Sequence, residues 1–288
     1  MNVVGIKDFT LISAILFEVT MQLYHGDCLK VMKQLPDNSI DMVLCDLPYG
    51  MTACKWDCVI SFEDLWAAYK RICKKNAAIV LFGSFPFSAL LVASNLKAYK
   101  HDWIWQKNAG SNFGCVKYQP MREHEQIMVF CYGKPLYNPI MQERAESGKD
   151  RIVYNVLYNT KTECYEGSLR NEKLSKRPEL RYPSSIQKFN RERGLHPTQK
   201  PVALCEYLIK TYTNEGMTVL DNCMGSGTTG VSCLNLNREF IGIELDEHYF
   251  EVAKQRIETV MNVKSKEVVE TSDTAEDAIA ESTNTKQP

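Results

Sequence analysis

Short apolar runs alternate with stretches of helical spacing along most of the chain. "MQLYHGD" (21–27) predicts a strand and "CLKVMKQL" (28–35) a helix. "IDMVLCD" (40–46) and "AAIVLFGS" (77–84) are continuous apolar runs, the pattern of parallel strands buried on both faces. Between them "FEDLWAAYKRICKK" (62–75) has helical spacing, and a further helix is expected over 87–95. "HDWIWQK" (101–107) and "EQIMVFCYG" (125–133) predict two more strands. A helix is expected over 201–212, with proline in its first turn, followed by the strand "MTVLD" (217–221). A helix from Thr228, the strand "FIGIEL" (240–245) and a helix over 248–260 complete the pattern. Repeated βα units of this kind predict an α/β fold with a doubly wound, mostly parallel sheet.

Three segments fall outside that rhythm. Residues 134–195 are polar and basic, rich in Pro, Tyr and Asn, without a sustained period; so long an irregular stretch within a domain points to function or disorder. The tail 262–288 is acidic, has no aromatic residue, and is expected to be disordered. Residues 1–20 contain the apolar stretch "FTLISAILFEV" (9–19), which Glu18 interrupts and which is too short to span a bilayer. It also lacks the basic leader and small-residue cleavage site of a signal peptide. Two accounts fit it, an added strand or helix on the domain or an extension the fold does not need, and the second is preferred because the βα pattern is complete from Gln22 onward.

Charge and cysteine usage refine the picture. The 288 residues carry a net charge of -1 at pH 7, but the distribution is uneven. Residues 100–200 hold 18 basic against 11 acidic side chains, and residues 262–288 hold 3 against 6. The eleven cysteines are dispersed with no C-x-x-C spacing, so a zinc site is not expected and free thiols of a reducing compartment are.

Candidate chemistry begins at "VLDNCMGSGTTGVSCL" (219–234), with G-x-G-x-x-G at Gly225, Gly227 and Gly230. The motif follows a strand and opens a helix, the context that makes it a nucleoside-cofactor loop, to which Ser226 and Thr228 also belong. Glu244, 19 residues after Gly225 at the end of the next strand, is placed to accept hydrogen bonds from ribose hydroxyls. Asp221 ends the preceding strand, where the pyrophosphate of a dinucleotide would have to approach. A carboxylate there suits a cation, and S-adenosylmethionine carries an ammonium group and no phosphate. Asp27 ends another strand and has two readings, a contact to adenine or a helix N-cap.

"DLPYG" (46–50) ends the strand 40–46, and ligands of open α/β sheets bind beyond such ends. An aromatic amino group is a poor nucleophile because its lone pair is delocalised. Asp46 can accept one of its N–H groups and the backbone carbonyl of Leu47 the other, which localises the lone pair. Tyr49 offers a flat face for the base, and Pro48 stiffens the turn. Methyl transfer would then rest on positioning and electrostatics, with the base flipped out of its duplex.

"DLPYG" resembles the Asp-Pro-Pro-Tyr motif of DNA amino-methyltransferases, and "DNCMGSGTT" resembles their cofactor motif. "HPTQKPVALCEYLI" (196–209) is similar to the segment preceding that motif in the circularly permuted β-group, whose order is catalytic motif, basic region, cofactor motif. The resemblance runs from about Met21 to Arg256 and is strongest to bacterial and phage members. It implies a Rossmann-like sheet of the S-adenosylmethionine-dependent methyltransferase type with an inserted recognition region. The expected organisation is an N-terminal extension (1–20), a catalytic half (21–133), a target-recognition region (134–195), a cofactor-binding half (196–261) and a tail (262–288). It also implies adenine-N6 methylation where the motif begins with Asp, with cytosine-N4 methylation as the alternative. Leu47 stands where the family usually has proline; a backbone carbonyl is available from either residue.

Duplex DNA is the expected partner. Arg170, Lys173, Lys176, Arg177, Arg181, Lys188, Arg191 and Arg193 are interleaved with Tyr182 and Phe189 in the interval where the family has its target-recognition region. Such residues hold phosphates while polar side chains read base edges. Rival readings are methylation of RNA and a catalytically silent nucleic-acid-binding protein. A cytoplasmic protein of a bacterial cell, encoded by host or phage, is expected, with no membrane partner and no metal. A homodimer and a cognate restriction enzyme are left open as partners.

Overall fold

The computed structural model describes residues 3–5, 19–50, 59–145, 179–192, 194 and 199–284, with side chains described from residue 19 to residue 265. The chain divides into two compact units, 1–138 with 185–288, and 139–184. The larger unit holds a nine-stranded sheet. Its strands are β1 (Val3–Gly5), β2 (Met21–His25), β3 (Ile40–Cys45), β4 (Cys73–Gly83), β5 (Tyr99–Ser111), β6 (Arg122–Phe130), β9 (Ile186–Phe189), β10 (Thr218–Asp221) and β11 (Glu239–Glu244). They lie in the order β1-β2-β11-β10-β3-β4-β6-β5-β9. From β2 to β4 every neighbour is parallel; β6 turns the sheet antiparallel against both β4 and β5. In the smaller unit, β7 (Gln142–Glu143) and β8 (Leu180–Arg181) form an antiparallel pair.

Six α-helices are described: α1 (Cys28–Met32), α2 (Phe62–Ile72), α3 (Phe87–Ser94), α4 (Val202–Tyr212), α5 (Thr228–Asn235) and α6 (Glu247–Asn284). Side-chain alternation along the strands explains why they read as unbroken apolar runs. Met42, Leu44, Val80 and Phe82 belong to one buried cluster, with Leu204, Leu208, Val231 and Phe250 from α4, α5 and α6. Val43, Cys45, Ile79 and Leu81 belong to a second, with Val31, Leu65, Tyr69 and Leu91 from α1, α2 and α3. Each central strand is thus buried on both faces, and the sheet is doubly wound as expected. No helix among the described residues is long and apolar enough to cross a membrane.

Four details depart from the sequence expectation. Residues 1–20 do supply a strand: β1 adds antiparallel to β2 at the edge of the sheet. The helix expected over 62–75 ends at Ile72, and β4 starts at Cys73, which pairs with Ile40. The stretch expected to be irregular contains β9, which pairs in parallel with β5. Its pattern was hidden because the inward residue is polar Gln187, 6% exposed, while Ile186 is 51% exposed. Finally, α6 continues past Asn262 to Asn284, into the tail expected to be disordered. That segment contains neither glycine nor proline to interrupt a helical hydrogen-bond ladder.

Because β1 contributes three residues at an edge, a chain beginning at Met21 is expected to remain soluble and folded. Its melting temperature should fall by about 2–4 °C, the shift that roughly 1 kcal/mol produces in a domain of this size. Thermal unfolding of the two chains side by side measures it. Insolubility or a far larger drop would show that the first twenty residues belong to the core.

Candidate active site

The parallel register of β3, β10, β11 and β2 brings their carboxyl ends to one edge of the sheet. Val219 pairs with Met42, Asp221 with Gly242, and Glu244 with His25. Asp221 and Glu244 therefore end neighbouring strands, and Asp46 follows the end of β3 on the other side of β10. All three line a cavity of about 420 Å³, together with Asp27, Tyr49 and Lys200. That volume lies in the range of small-molecule sites.

The glycine loop follows β10 as expected. Gly225 and Gly227 take φ of 52° and 74°, a left-handed backbone that L side chains rarely adopt. The N–H of Gly225 donates to Glu244 Oε2 at 2.8 Å. The N–H of Asp246 donates to Glu244 Oε1 at 2.9 Å. Burial raises the Glu244 pKa, and these two amides oppose that shift. Ser226 and Thr228 are buried, and Arg256 from α6 donates to the carbonyl of Ser226 at 3.2 Å and to Thr228 Oγ1 at 2.9 Å.

Asp221 is more deeply enclosed. Its Oδ1 accepts from the N–H of Cys223 at 3.2 Å and its Oδ2 from the Thr229 hydroxyl at 2.6 Å. Burial raises its pKa to about 7, even against those two hydrogen bonds. Asp27 is the N-cap of α1, accepting from the N–H of Lys30 at 3.0 Å. The capping role is thus filled, while the residue also lines the cavity.

Asp46 has two partners. The Tyr49 hydroxyl donates to Oδ1 at 2.5 Å, and the Lys200 ammonium donates to Oδ2. Lys200 also stands 3.5 Å from Glu125 Oε2, while Lys107 donates to Glu125 Oε1. Lys107, Glu125, Lys200 and Asp46 thus form a chain of alternating charge. Burial raises the pKa of Asp46, with Lys200 pulling against it. Burial alone would raise Glu125 too, but Lys200 and Lys107 hold it below the usual carboxylate range. Burial and the neighbouring Asp46 keep Tyr49 protonated, so it acts as a donor. Its ring stacks on Phe87, with centroids 4.7 Å apart. Leu47 is buried, and Pro48 borders the cavity.

The sequence did not single out Lys200, Glu125, Thr229 or Arg256. Lys200 lies in the quoted segment "HPTQKP", and a lysine before a proline carries no sign of burial. Glu125 opened an expected strand, where its pairing depends on the antiparallel return of β6. Of the basic residues expected to meet DNA, Lys188 in β9 is exposed and Arg191 is half-buried, with its N–H donating to Asn108 Oδ1 at 3.0 Å. Arg181 is exposed in β8 of the smaller unit. Arg170, Lys173, Lys176, Arg177 and Arg193 lie outside the described residues.

Residues 40–255 match the model of the N6_N4_Mtase family, described as DNA methylase. The chain belongs to the N6/N4 DNA methylase family. Similar proteins include the Type II methyltransferase M.HpaI of Haemophilus parainfluenzae, 27% identical over 256 residues, covering 84% of this chain and 75% of that protein. The Type II methyltransferase M2.DpnII of Streptococcus pneumoniae is 28% identical over 264 residues, covering 83% of this chain and 90% of that protein. The M1.HpyAVI–SAM complex is a similar solved structure, 27% identical with a TM-score of 0.55, covering 82% of this chain and 98% of that one. The chain is a DNA methyltransferase, and its cofactor is S-adenosylmethionine.

The raised pKa of Asp221 has a consequence for stability. Folded Asp221 holds its proton up to about pH 7, whereas the unfolded residue loses it near 3.8. The folded state therefore binds more protons between those values, and folding becomes less favourable as pH rises through that window. Asp221→Asn should remove this dependence. The difference in urea-unfolding free energy between variant and parent is expected to change between pH 4.5 and 6.5, by up to about 1.4 kcal/mol per pH unit. A difference that stays flat would show that Asp221 is ionised throughout.

Proposed function

We propose that the chain methylates the N6 amine of adenine in duplex DNA, with Asp46 and Tyr49 acting on the flipped base. The observation that carries this reading is the Asp46 carboxylate, at a strand end, in the same cavity as Asp221 and Glu244. S-adenosylmethionine, when bound, supplies an electrophilic methyl carbon on a sulfonium. The donor set fits that cofactor. Asp221, an acid kept partly neutral by burial, gains its charge beside a cationic amine, so it is the partner for the ammonium. Glu244 has lone pairs left beyond its two amide contacts for ribose hydroxyls, and Asp27 borders the same space. Gly225, Ser226 and Thr228 form the wall of this half of the site, and Gly227, with φ of 74° and packed close to Ala253, turns the loop that carries them.

On the other half, Asp46 accepts one N–H of the target amine and the carbonyl of Leu47 the other. The lone pair is then drawn out of conjugation and directed at the electrophile. Pro48 restricts the turn. Tyr49 offers a ring to the base, with Phe87 already packed on it. Adenine is favoured over cytosine because the motif opens with Asp, which in the resembled family goes with N6 methylation. Lys188 and Arg191 on the larger unit, Arg181 on the smaller one, and Arg170, Lys173, Lys176, Arg177 and Arg193 outside the described residues are the proposed phosphate contacts. A restriction partner is in keeping with the Type II methyltransferases among the similar proteins.

Mass spectrometry of nucleosides from treated duplex DNA should detect N6-methyladenine. N4-methylcytosine without it would overturn the adenine reading. Asp46→Ala should lower methyl transfer by at least about 100-fold and leave cofactor affinity nearly unchanged in calorimetry. Turnover near that of the parent would remove Asp46 from the chemistry.

Glu244→Ala should show the opposite split. Cofactor affinity is expected to fall by about tenfold or more, from the loss of a charged hydrogen-bond acceptor. Unchanged affinity would contradict the ribose assignment.

A further inference from the structure

The target amine and the Lys200 ammonium call for the same acceptor. Asp46 Oδ1 is taken by the Tyr49 hydroxyl and Oδ2 by Lys200. Of these two donors only the Lys200 ammonium carries nitrogen-bound hydrogens, as the target amine does, so Lys200 stands in for the target nitrogen. A second acceptor lies within reach. Glu125 Oε2 is buried and accepts no hydrogen bond, and the Lys200 nitrogen is 3.5 Å from it. A buried unsatisfied carboxylate oxygen is costly, so its presence beside an ammonium needs a reason. The side chains of Lys200, Glu125 and Asp46 are 9%, 14% and 22% exposed, which limits replacement by solvent.

We propose that Lys200 is a two-position residue: it occupies Asp46 in the free enzyme and moves onto Glu125 Oε2 when the target amine arrives. The inference rests on the reading of Asp46 as acceptor of that amine. Lys200 is a positioning residue, since it acts through Asp46. The displacement needed is small, because both acceptors already flank one ammonium. The Phe82 ring, 5.0 Å from the Lys200 nitrogen, borders it in either position. In the second position Lys200 satisfies the orphaned oxygen, so the loss of one charge-assisted bond is offset by the gain of another. Lys107 holds the other oxygen of Glu125 and keeps that carboxylate in place.

The same arrangement controls the charge of Asp46. A protonated carboxyl accepts only weakly, so the ionised form of Asp46 is the one that holds an amine N–H firmly. The groups acting on it are Lys200, Glu125 and Tyr49, with Cys45 and Asp221 behind. Lys200 favours the ionised form and Glu125 opposes it. Removing either must move the acid limb of the reaction in opposite directions.

The test is the pH profile of the single-turnover methyl-transfer rate, together with the apparent affinity for duplex DNA from its concentration dependence. Lys200→Met should move the acid limb up by about one pH unit, the effect of losing an opposite charge at this range. Glu125→Gln should move it down. It should also weaken apparent duplex affinity several-fold, since Lys200 then lacks a charged second acceptor and competes with the base. Glu125→Gln is nearly isosteric, so it carries the test if Lys200→Met fails to fold. Limbs that stay put, or that move the same way in both variants, would overturn the proposal. Asp46→Ala, which removes the acceptor, is run alongside. If it retains activity, the reading of Asp46 itself fails, and that outcome is distinct from unmoved limbs in an enzyme that Asp46→Ala inactivates.

Discussion

The parallel pairing of β3, β10 and β11 is the constraint from which the site follows. Parallel strands end on one side, so the residues at their last ladder pairs, or just beyond them, are delivered to a common crevice. In this chain those residues are Asp46, Asp221 and Glu244. The register is fixed by burial on both faces. Met42 and Leu44 pack with one set of helices, and Val43 and Cys45 with the other. A slip of one residue would exchange those two faces and displace the acids along the crevice together.

Gathering three carboxylates into one enclosed space is unfavourable unless each is answered. The structure answers each differently. Glu244 is held by two backbone amides of the loop that follows β10 and the turn that follows β11. Asp221 is held by a hydroxyl and one amide, and burial still leaves it with a pKa near neutrality, about 7. Asp46 is answered by a phenol and an ammonium that itself answers Glu125. Their different surroundings separate three chemically similar groups into a neutralisable one, a backbone-bound one and an ion-paired one. Such separation is what allows like residues in one pocket to take unlike parts in binding and chemistry.

What was legible in the sequence was what local pattern determines. The apolar runs marked β3, β4, β10 and β11, and the acids at their ends were read directly from position. The glycine loop was legible because a left-handed backbone at Gly225 and Gly227 favours glycine. What was hidden depends on long-range pairing. Glu125 meets Lys107 because β5 and β6 return antiparallel, opposing Trp105 to Glu125. Lys200 meets Asp46 across 154 residues of chain. Strand β9 escaped because Gln187 faces inward and Ile186 outward, the reverse of the usual alternation. The end of α2 at Ile72 depended on Cys73 pairing with Ile40, a tertiary demand overriding a helical pattern.

Leucine at position 47, where the resembled motif has proline, is held by a different physical means. Proline would stiffen the turn through its fixed φ. Leu47 instead is 4% exposed and belongs to the cluster that holds Val43, Cys45 and Leu81. The side chain is thus an anchor for the turn. Two residues later Tyr49 is fixed twice, by its hydroxyl on Asp46 and by its ring on Phe87. Between these anchors Pro48 has its own φ restricted. The turn is therefore held by burial at one end, by stacking and a hydrogen bond at the other, and by a ring in the middle. A second proline would restrict a backbone that packing already restrains, so leucine at this position does not leave the turn unheld.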